Sequence, residues 1–311
     1  AGTIKRATHL LTQIKVKRNF NYDQAISGLY QILWGLFKKI VIADNCAHFA
    51  NEIFNDPGSY NGSTLVVGAL FFTFQIYGDF SGYSDIALGT SKLFGIELLK
   101  NFAFPYFSRD IAEFWRRWHI SLSSWFKDYL YIPLGGSKGG KLIQIRNTFI
   151  IFLVSGFWHG ANWTFLIWGF LNALYFLPLL LTNQNRTNLG VVAQNRWLPN
   201  FKETFQILTT FGLTVFAWIF FRADSVTSAF AYIKGIFSKS LLTLPEVRPT
   251  FLIILVMFFI VVEWHGREGN FALDNFRNHG NRFLRWSFTF LILVLLFLFG
   301  KEEQQFIYFQ F

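Results

Sequence analysis

The sequence predicts an all-α, polytopic transmembrane protein whose short, tilted and re-entrant helices surround a central cavity. Three observations carry that expectation. Hydrophobic residues make up 52% of the 311 positions, charged residues only 15%, and Phe occurs 41 times, a mixture that would leave a soluble globule without enough polar surface. Apolar runs recur over Ala25 to Ala43, Ser63 to Tyr77, Asn147 to Phe157, Trp163 to Leu181, Thr204 to Phe221, Thr250 to Trp264 and Phe283 to Gly300. Several of these are shorter than the roughly 20 residues a straight crossing needs, which implies tilted or re-entrant helices lining a cavity.

Taken in order, residues 1 to 24 read as a basic interfacial segment. Lys5, Arg6, Lys15, Lys17 and Arg18 precede the first acid, Asp23, so the positive-inside rule places this segment in the cytoplasm. A helix carrying Trp34 follows and ends near Lys38, Lys39 and Asp44, and Asn55-Asp56-Pro57-Gly58-Ser59 is a turn. From Phe71 onward Gln75, Asp79 and Asp85 lie in apolar, glycine-rich surroundings. A buried charge needs a partner, so the two aspartates are expected to pair with buried arginines or to cap helix breaks at Gly78 and Gly82.

Ser108 to Phe126 reads as a polar helix capped by Ser108, with Asp110 and Glu113 near its positive end. Trp115, Trp118, His119, Leu122 and Trp125 recur at intervals of three and four and are expected on one face. Pro133 and the glycines from Gly135 to Gly140 form a loop before a hairpin at His159. Residues 182 to 203 are a polar loop, Asp224 to Lys239 an interfacial amphipathic helix, and the last span ends in an aromatic tail. No repeat divides the chain, and 1–311 reads as one membrane-embedded domain.

Other classes fall away on composition. The net charge of +10 would suit nucleic acid, but the basic residues flank apolar spans among Trp and Phe, which positive-inside bias accounts for without any nucleic-acid partner. The lone Cys46 excludes an internal disulfide and multi-cysteine metal sites, and no spacing points to another metal centre. The chain begins at Ala1, its only methionine is Met257, and no signal-peptide pattern opens it, so truncation at the N-terminus is expected.

The chemistry centres on His159, in Ser155-Gly156-Phe157-Trp158-His159-Gly160-Ala161-Asn162-Trp163. If a helix rises from Arg146, His159 lies roughly 20 Å along it, within a hydrocarbon layer about 30 Å thick. Ionisable groups at that depth are functional candidates; the plain alternative is a buried histidine bonded to a backbone carbonyl. His119, among tryptophans, reads from the residues alone as an interfacial anchor. Arg116 and Arg117 suit lipid phosphates or carboxylates first, and a phosphopantetheine or coenzyme A donor would also want such cations. Asn162 either helps an oxyanion or caps the helix that starts at Trp163. His9, His48, His265 and His279 lie near ends or polar loops and take no role.

Four ordered stretches, Tyr77-Gly78-Asp79-Phe80-Ser81-Gly82-Tyr83-Ser84-Asp85, Phe114-Trp115-Arg116-Arg117-Trp118-His119-Ile120-Ser121-Leu122-Ser123, Tyr129-Leu130-Tyr131-Ile132-Pro133-Leu134-Gly135-Gly136 and Phe157-Trp158-His159-Gly160, resemble the membrane-bound O-acyltransferases (MBOAT). The likeness is strongest to the bacterial branch that O-acetylates alginate. The resemblance implies that the chain lacks the family's N-terminal spans, since the family is longer there and its early Gly-Pro-Ile reads Gly2-Thr3-Ile4 here. It makes His159 the expected general base and His119 a second active-site histidine, one that orients the acceptor, binds the acyl carbonyl or shuttles the proton.

It further implies an acetyltransferase in the bacterial inner (cytoplasmic) membrane, with no tightly bound cofactor. Acetyl-CoA or an acyl-carrier thioester would serve as donor. Membrane lipids, a periplasmic acetyltransferase partner and an exopolysaccharide would be its partners. The alternatives are D-alanyl transfer to a cell-envelope polymer and a non-catalytic transporter; a transporter predicts paired halves with matching broken helices, which the sequence does not have.

Overall fold

The computed structural model describes residues 7–274 and 281–300, with side chains from residue 10 onward. Lys5, Arg6, His279 and the aromatic tail after Gly300 lie outside the described residues, as does the side chain of His9. The described residues form helices and connecting segments and no strand.

A short helix α1 (Ala7–Lys15) leads to α2 (Tyr22–Leu36), whose start is fixed by Asn21, with Oδ1 accepting from the Gln24 amide at 3.0 Å. The expected stop near Lys38 and Lys39 does not occur. α2 passes through a wide π-type turn (Phe37–Ala43) into α3 (Asp44–Asn55), giving one rod of 34 residues. After the turn at Pro57, Asn61 caps α4 (Gly62–Leu93), a single helix of 32 residues. The breaks expected at Gly78 and Gly82 are absent, because those glycines serve helix contact instead. A Cβ on Gly35 would stand 2.7 Å from the Gly82 carbonyl oxygen, and one on Gly28 would stand 2.6 Å from that of Gly89, so α2 and α4 meet backbone to backbone.

Close approach brings charges inside. Lys38 pairs with Asp85 at 2.5 Å, and Lys39 bridges Asp79 and Asp44 at 2.7 Å each. The aspartates thus take partners as the sequence required, but these are lysines, not arginines.

Past α4 the chain runs through a connecting segment to α5 (Ile111–Arg117) and α6 (Ile120–Phe126). Asp110, not Ser108, caps α5: its Oδ1 accepts from the Glu113 amide at 2.7 Å, while the Ser108 hydroxyl turns back to the Pro105 carbonyl at 2.6 Å. Gly135, Gly136 and Gly140 hold positive φ in the loop that follows, a conformation that favours glycine. Next come α7 (Lys141–His159) and α8 (Trp163–Leu181), an antiparallel hairpin in which Gly156 lies against the backbone of Phe165 and Gly169 against that of Phe152.

α9 (Phe201–Arg222) opens on a capping box of Asn200 and Glu203. α10 (Val226–Ile236) is seated on α4 through Tyr232, whose hydroxyl donates to the Leu65 carbonyl at 2.7 Å. α11 (Thr250–Gly266) and α12 (Arg282–Phe299) complete the described chain.

Among the described residues five helical segments are long and apolar enough to cross a membrane. Burial ranks them: 83% of the most apolar stretch of α4 is buried against 6% of that of α12, so α4 is the central post and α12 lies at the periphery. Several elements exceed the apolar runs that announced them, whereas α8 coincides with its run. Asn147 to Phe157 is the inner part of a 19-residue helix whose first turns carry Lys141, Gln144 and Arg146, so shortness of the run did not mean shortness of the helix.

Candidate active site

The helix expected over Ser108 to Phe126 is broken in the middle. Trp118 is extended, and His119 adopts a left-handed conformation with φ 43° and ψ 55°, a costly state for a non-glycine residue that persists only where its surroundings enforce it. The enforcing partner is the segment from Asn101 to Ala103. The Ala103 amide donates to the Arg117 carbonyl and the Ile120 amide to the Asn101 carbonyl, both at 2.9 Å, clamping the chain on either side of His119.

The common face of Trp115, Trp118, His119, Leu122 and Trp125 therefore does not form. Trp118, His119 and Leu122 are buried, whereas Trp125 is 40% exposed. His119 is an interior residue and not an interfacial anchor.

Its Nδ1 lies 3.1 Å from Asn101 Oδ1, and Phe80 meets its ring edge to face at 4.6 Å. Asn101, fully buried, also takes the Ser121 amide at 3.2 Å and the Ser121 hydroxyl at 2.9 Å on the same Oδ1. Asn101 and Ser121 were not singled out from the sequence. The signal available was an asparagine opening the Asn101-Phe102-Ala103-Phe104-Pro105-Tyr106 stretch, an amide in apolar company that needs partners.

His159 is the last residue of α7, half-buried at the tip of the hairpin. It stands in an aromatic box: Trp168 at 5.3 Å and Phe221 at 5.1 Å meet it edge to face, with Phe165 at 6.4 Å and its neighbour Trp158 at 5.0 Å. Gly160 is needed beside it, because a Cβ there would stand 2.6 Å from the Phe165 ring.

The fold brings the two histidines into one region. Trp118, next to His119 in the chain, packs on Trp218 at 5.2 Å, Trp218 stacks on Trp168 at 5.7 Å, and Trp168 abuts His159 at 5.3 Å.

Other candidates resolve structurally. Asn162 accepts from the Thr164 amide at 3.1 Å and donates to the Asp224 carbonyl at 3.0 Å, so both ends of its amide are engaged and it caps α8. Arg116 donates to the carbonyls of Asn185 and Asn188, both at 2.9 Å. Arg117 pairs with Glu113 at 2.8 Å and donates to the Gly190 carbonyl at 2.9 Å. These arginines tie the loop after α8 to α5. No group of three or more His, Cys, Asp or Glu side chains among the described residues is placed to hold a metal ion.

A cleft of about 360 Å³ opens beside the start of α2 and the end of α4, lined by Gln24, Ser27, Lys92, Glu97, Lys100 and Asn270 among others, and its lining includes neither histidine. Burial pulls the Lys100 ammonium down to about 8, against the opposing pull of Asp85 and Glu263. Lys100 adjoins Asn101, so the cleft and the His119 break share a chain segment.

The peptidoglycan O-acetyltransferase of Helicobacter pylori is 35% identical over 342 aligned positions covering 100% of this chain and 62% of that protein. The probable alginate O-acetylase AlgI of Pseudomonas aeruginosa is 37% identical over 86% of this chain and 50% of its own length. The teichoic acid D-alanyltransferase of Streptococcus thermophilus is 30% identical over 65% of this chain and 53% of its own. The chain thus spans half to about three fifths of the length of these relatives. Residues 8–220, which hold the α2–α4 core and both histidines, match the family itself, and this multi-pass membrane chain belongs to the membrane-bound O-acyltransferases.

Proposed function

We propose that this chain carries the transfer centre of an acetyltransferase of the bacterial cytoplasmic membrane. It moves an acetyl group from a cytoplasmic thioester, acetyl-CoA or an acyl carrier, towards an extracytoplasmic polysaccharide hydroxyl, directly or through a partner acetyltransferase. The convergence of His159 and His119 across Trp118, Trp218 and Trp168 carries the proposal. Ester formation needs the hydroxyl oxygen to bond to the thioester carbonyl carbon while the C–S bond breaks. An imidazole takes the hydroxyl proton during attack and returns it to the leaving thiolate, and neutral imidazole suits that task near pH 7. His159 is the base in this reading, and His119 is the second histidine of the site.

The ends of the bundle support the direction of transfer. The basic segment with Lys15, Lys17 and Arg18 marks the cytoplasmic end, and the cleft with Lys92 and Lys100 opens beside it, offering cations to a phosphate-bearing donor. His159 lies towards the opposite end, where Asn162 meets Asp224. An acetyl cargo is favoured over D-alanine because the two acetylating relatives match 86% or more of the chain and the D-alanylating one 65%. The acceptor is accordingly a cell-envelope or exported polysaccharide of the alginate or peptidoglycan kind.

His159→Ala in the full-length protein is expected to cut transfer by about 10² to 10⁴, the worth of one general base, at unchanged protein level. Polymer-bound acetate and ester-linked D-alanine, measured side by side in cells, test both parts. Wild-type acetate with the variant rules out His159 as the base, and D-alanine ester lost in place of acetate reverses the cargo.

A further inference from the structure

Hydrogen-bond donors around Asn101 fix more than its own position. The Ser121 backbone N–H can only donate, so the Asn101 side-chain atom 3.2 Å away is its oxygen, which settles which way the amide points. The Ser121 hydroxyl lies 2.9 Å from that oxygen and His119 Nδ1 3.1 Å from it. The Ser121 hydroxyl also lies 3.4 Å from Nδ1, but its single proton goes to the nearer Asn101 oxygen, so the ring nitrogen facing that oxygen is the one that carries hydrogen; two lone pairs would otherwise oppose each other in a buried site. The neutral ring then has its lone pair on Nε2.

We infer that Asn101 is a positioning residue that holds His119 as the Nδ1–H tautomer, so that Nε2 accepts a hydrogen bond from a substrate O–H or N–H and does not donate to the acyl carbonyl. The inference rests on the proposed reading of the two histidines and chooses among the roles open to His119. Asn101 sets the ring in two ways. Its main-chain carbonyl takes the Ile120 amide at 2.9 Å and helps enforce the left-handed turn at His119, and its side chain then selects the nitrogen that bears hydrogen. Phe80 stands edge to face against the ring at 4.6 Å and limits its rotation.

The arrangement makes a sharp distinction between substitutions. Asn101→Leu keeps the volume and removes the acceptor. Asn101→Asp keeps an acceptor oxygen for the Ser121 amide, the Ser121 hydroxyl and His119 Nδ1–H, and its second oxygen can accept from Ser84, whose hydroxyl now lies 3.4 Å from the Asn101 amide nitrogen and can turn to donate. In full-length protein, Asn101→Leu is expected to lower kcat about 10- to 100-fold with KM within about twofold, the scale of a misoriented catalytic group, and Asn101→Asp to recover most of it. A role in packing alone predicts the reverse order, because a buried carboxylate is harder to accommodate than leucine.

The tautomer itself is read by solid-state NMR of ¹⁵N-histidine-labelled wild-type protein, with His119→Gln to assign the signal. A His119 resonance protonated at Nδ1 supports the inference, and one protonated at Nε2 overturns it even if the Asn101 variants fail to fold. Full activity of His119→Gln would instead remove His119 from the site and so count against the proposed function, while leaving the tautomer measurement standing on its own.

Discussion

Where α2 and the π-type turn after it pack on α4, the main chain stays helical and the contact includes glycines and paired charges; at His119 the main chain leaves the helix altogether, and the side chains around it are aromatic rings and amides. One region approaches closely by giving up side chains, and the other holds a strained residue by surrounding it. The difference shows where each kind of energy is stored. The α2–α4 pair depends on compensation, so removing one member leaves its partner exposed to a low dielectric. The histidine region depends on enforcement, so removing one member relaxes the chain and alters geometry before stability.

The largest effect that tests this contrast is on the ion pairs. Lys38 and Asp85 are nearly enclosed, and Asp85 also takes Gln31 at 2.8 Å. Asp85→Leu alone is expected to destabilise the protein by about 3 to 5 kcal/mol, because an unpaired ammonium remains inside, whereas Lys38→Met with Asp85→Leu should recover most of the loss. Unfolding in mixed micelles measures both. A double variant as weak as the single one would mean that the pair is prized for its charge and not merely for mutual neutralisation.

Somewhat smaller effects are expected at the glycines. Gly35→Ala drives a Cβ to 2.7 Å from the Gly82 oxygen and 2.9 Å from the Ile86 amide nitrogen, both backbone atoms that cannot rotate away, and about 1 to 3 kcal/mol of overpacking follows. Gly212 on α9 has nothing within 4 Å of its would-be Cβ, so Gly212→Ala should stabilise by up to about 1 kcal/mol through helix propensity. The two substitutions are chemically identical, and a like response at both sites would show that α2 and α4 do not pack as closely as their glycines indicate.

Much of this was legible before the fold. Five of the seven apolar runs fall in helices long and apolar enough to cross a membrane, those of α7 and α11 being the exceptions, and the position of His159 at a helix end followed from Gly160 and the second run beginning at Trp163. The break at His119 was not legible, because nothing in Arg116-Arg117-Trp118-His119-Ile120 disfavours a helix; its cause, the segment from Asn101 to Ala103, is remote in the chain and speaks only through hydrogen bonds. Lys38 and Lys39 read as a helix end because two adjacent charges after an apolar run ordinarily mark the interface, and only the approach of Asp85 and Asp79 from α4 makes them tolerable inside. Gly78 and Gly82 misled for the related reason that glycine breaks a lone helix but joins two.

The smallest of these effects decides what Asn162 does, one turn beyond His159. A donor to a developing oxyanion and a helix cap both call for an asparagine there, but they lose different quantities when it is removed. The capping bond to the Thr164 amide at 3.1 Å and the contact from Nδ2 to the Asp224 carbonyl at 3.0 Å engage both ends of the side chain. Asn162→Ala is therefore expected to cost about 1 kcal/mol of stability, with kcat within about threefold of wild type, and Asn162→Asp, which keeps the capping oxygen but loses the Nδ2 donor to the Asp224 carbonyl, should recover only part of it. An oxyanion donor behaves otherwise: its removal costs about 10² to 10³ in kcat with little change in unfolding. Paired measurement of transfer rate and unfolding midpoint separates the two. Loss of rate without loss of stability would move Asn162 from the scaffold of the hairpin into the chemistry at its tip, and would make the histidine region less purely a matter of enforced geometry than its contrast with α2 and α4 implies.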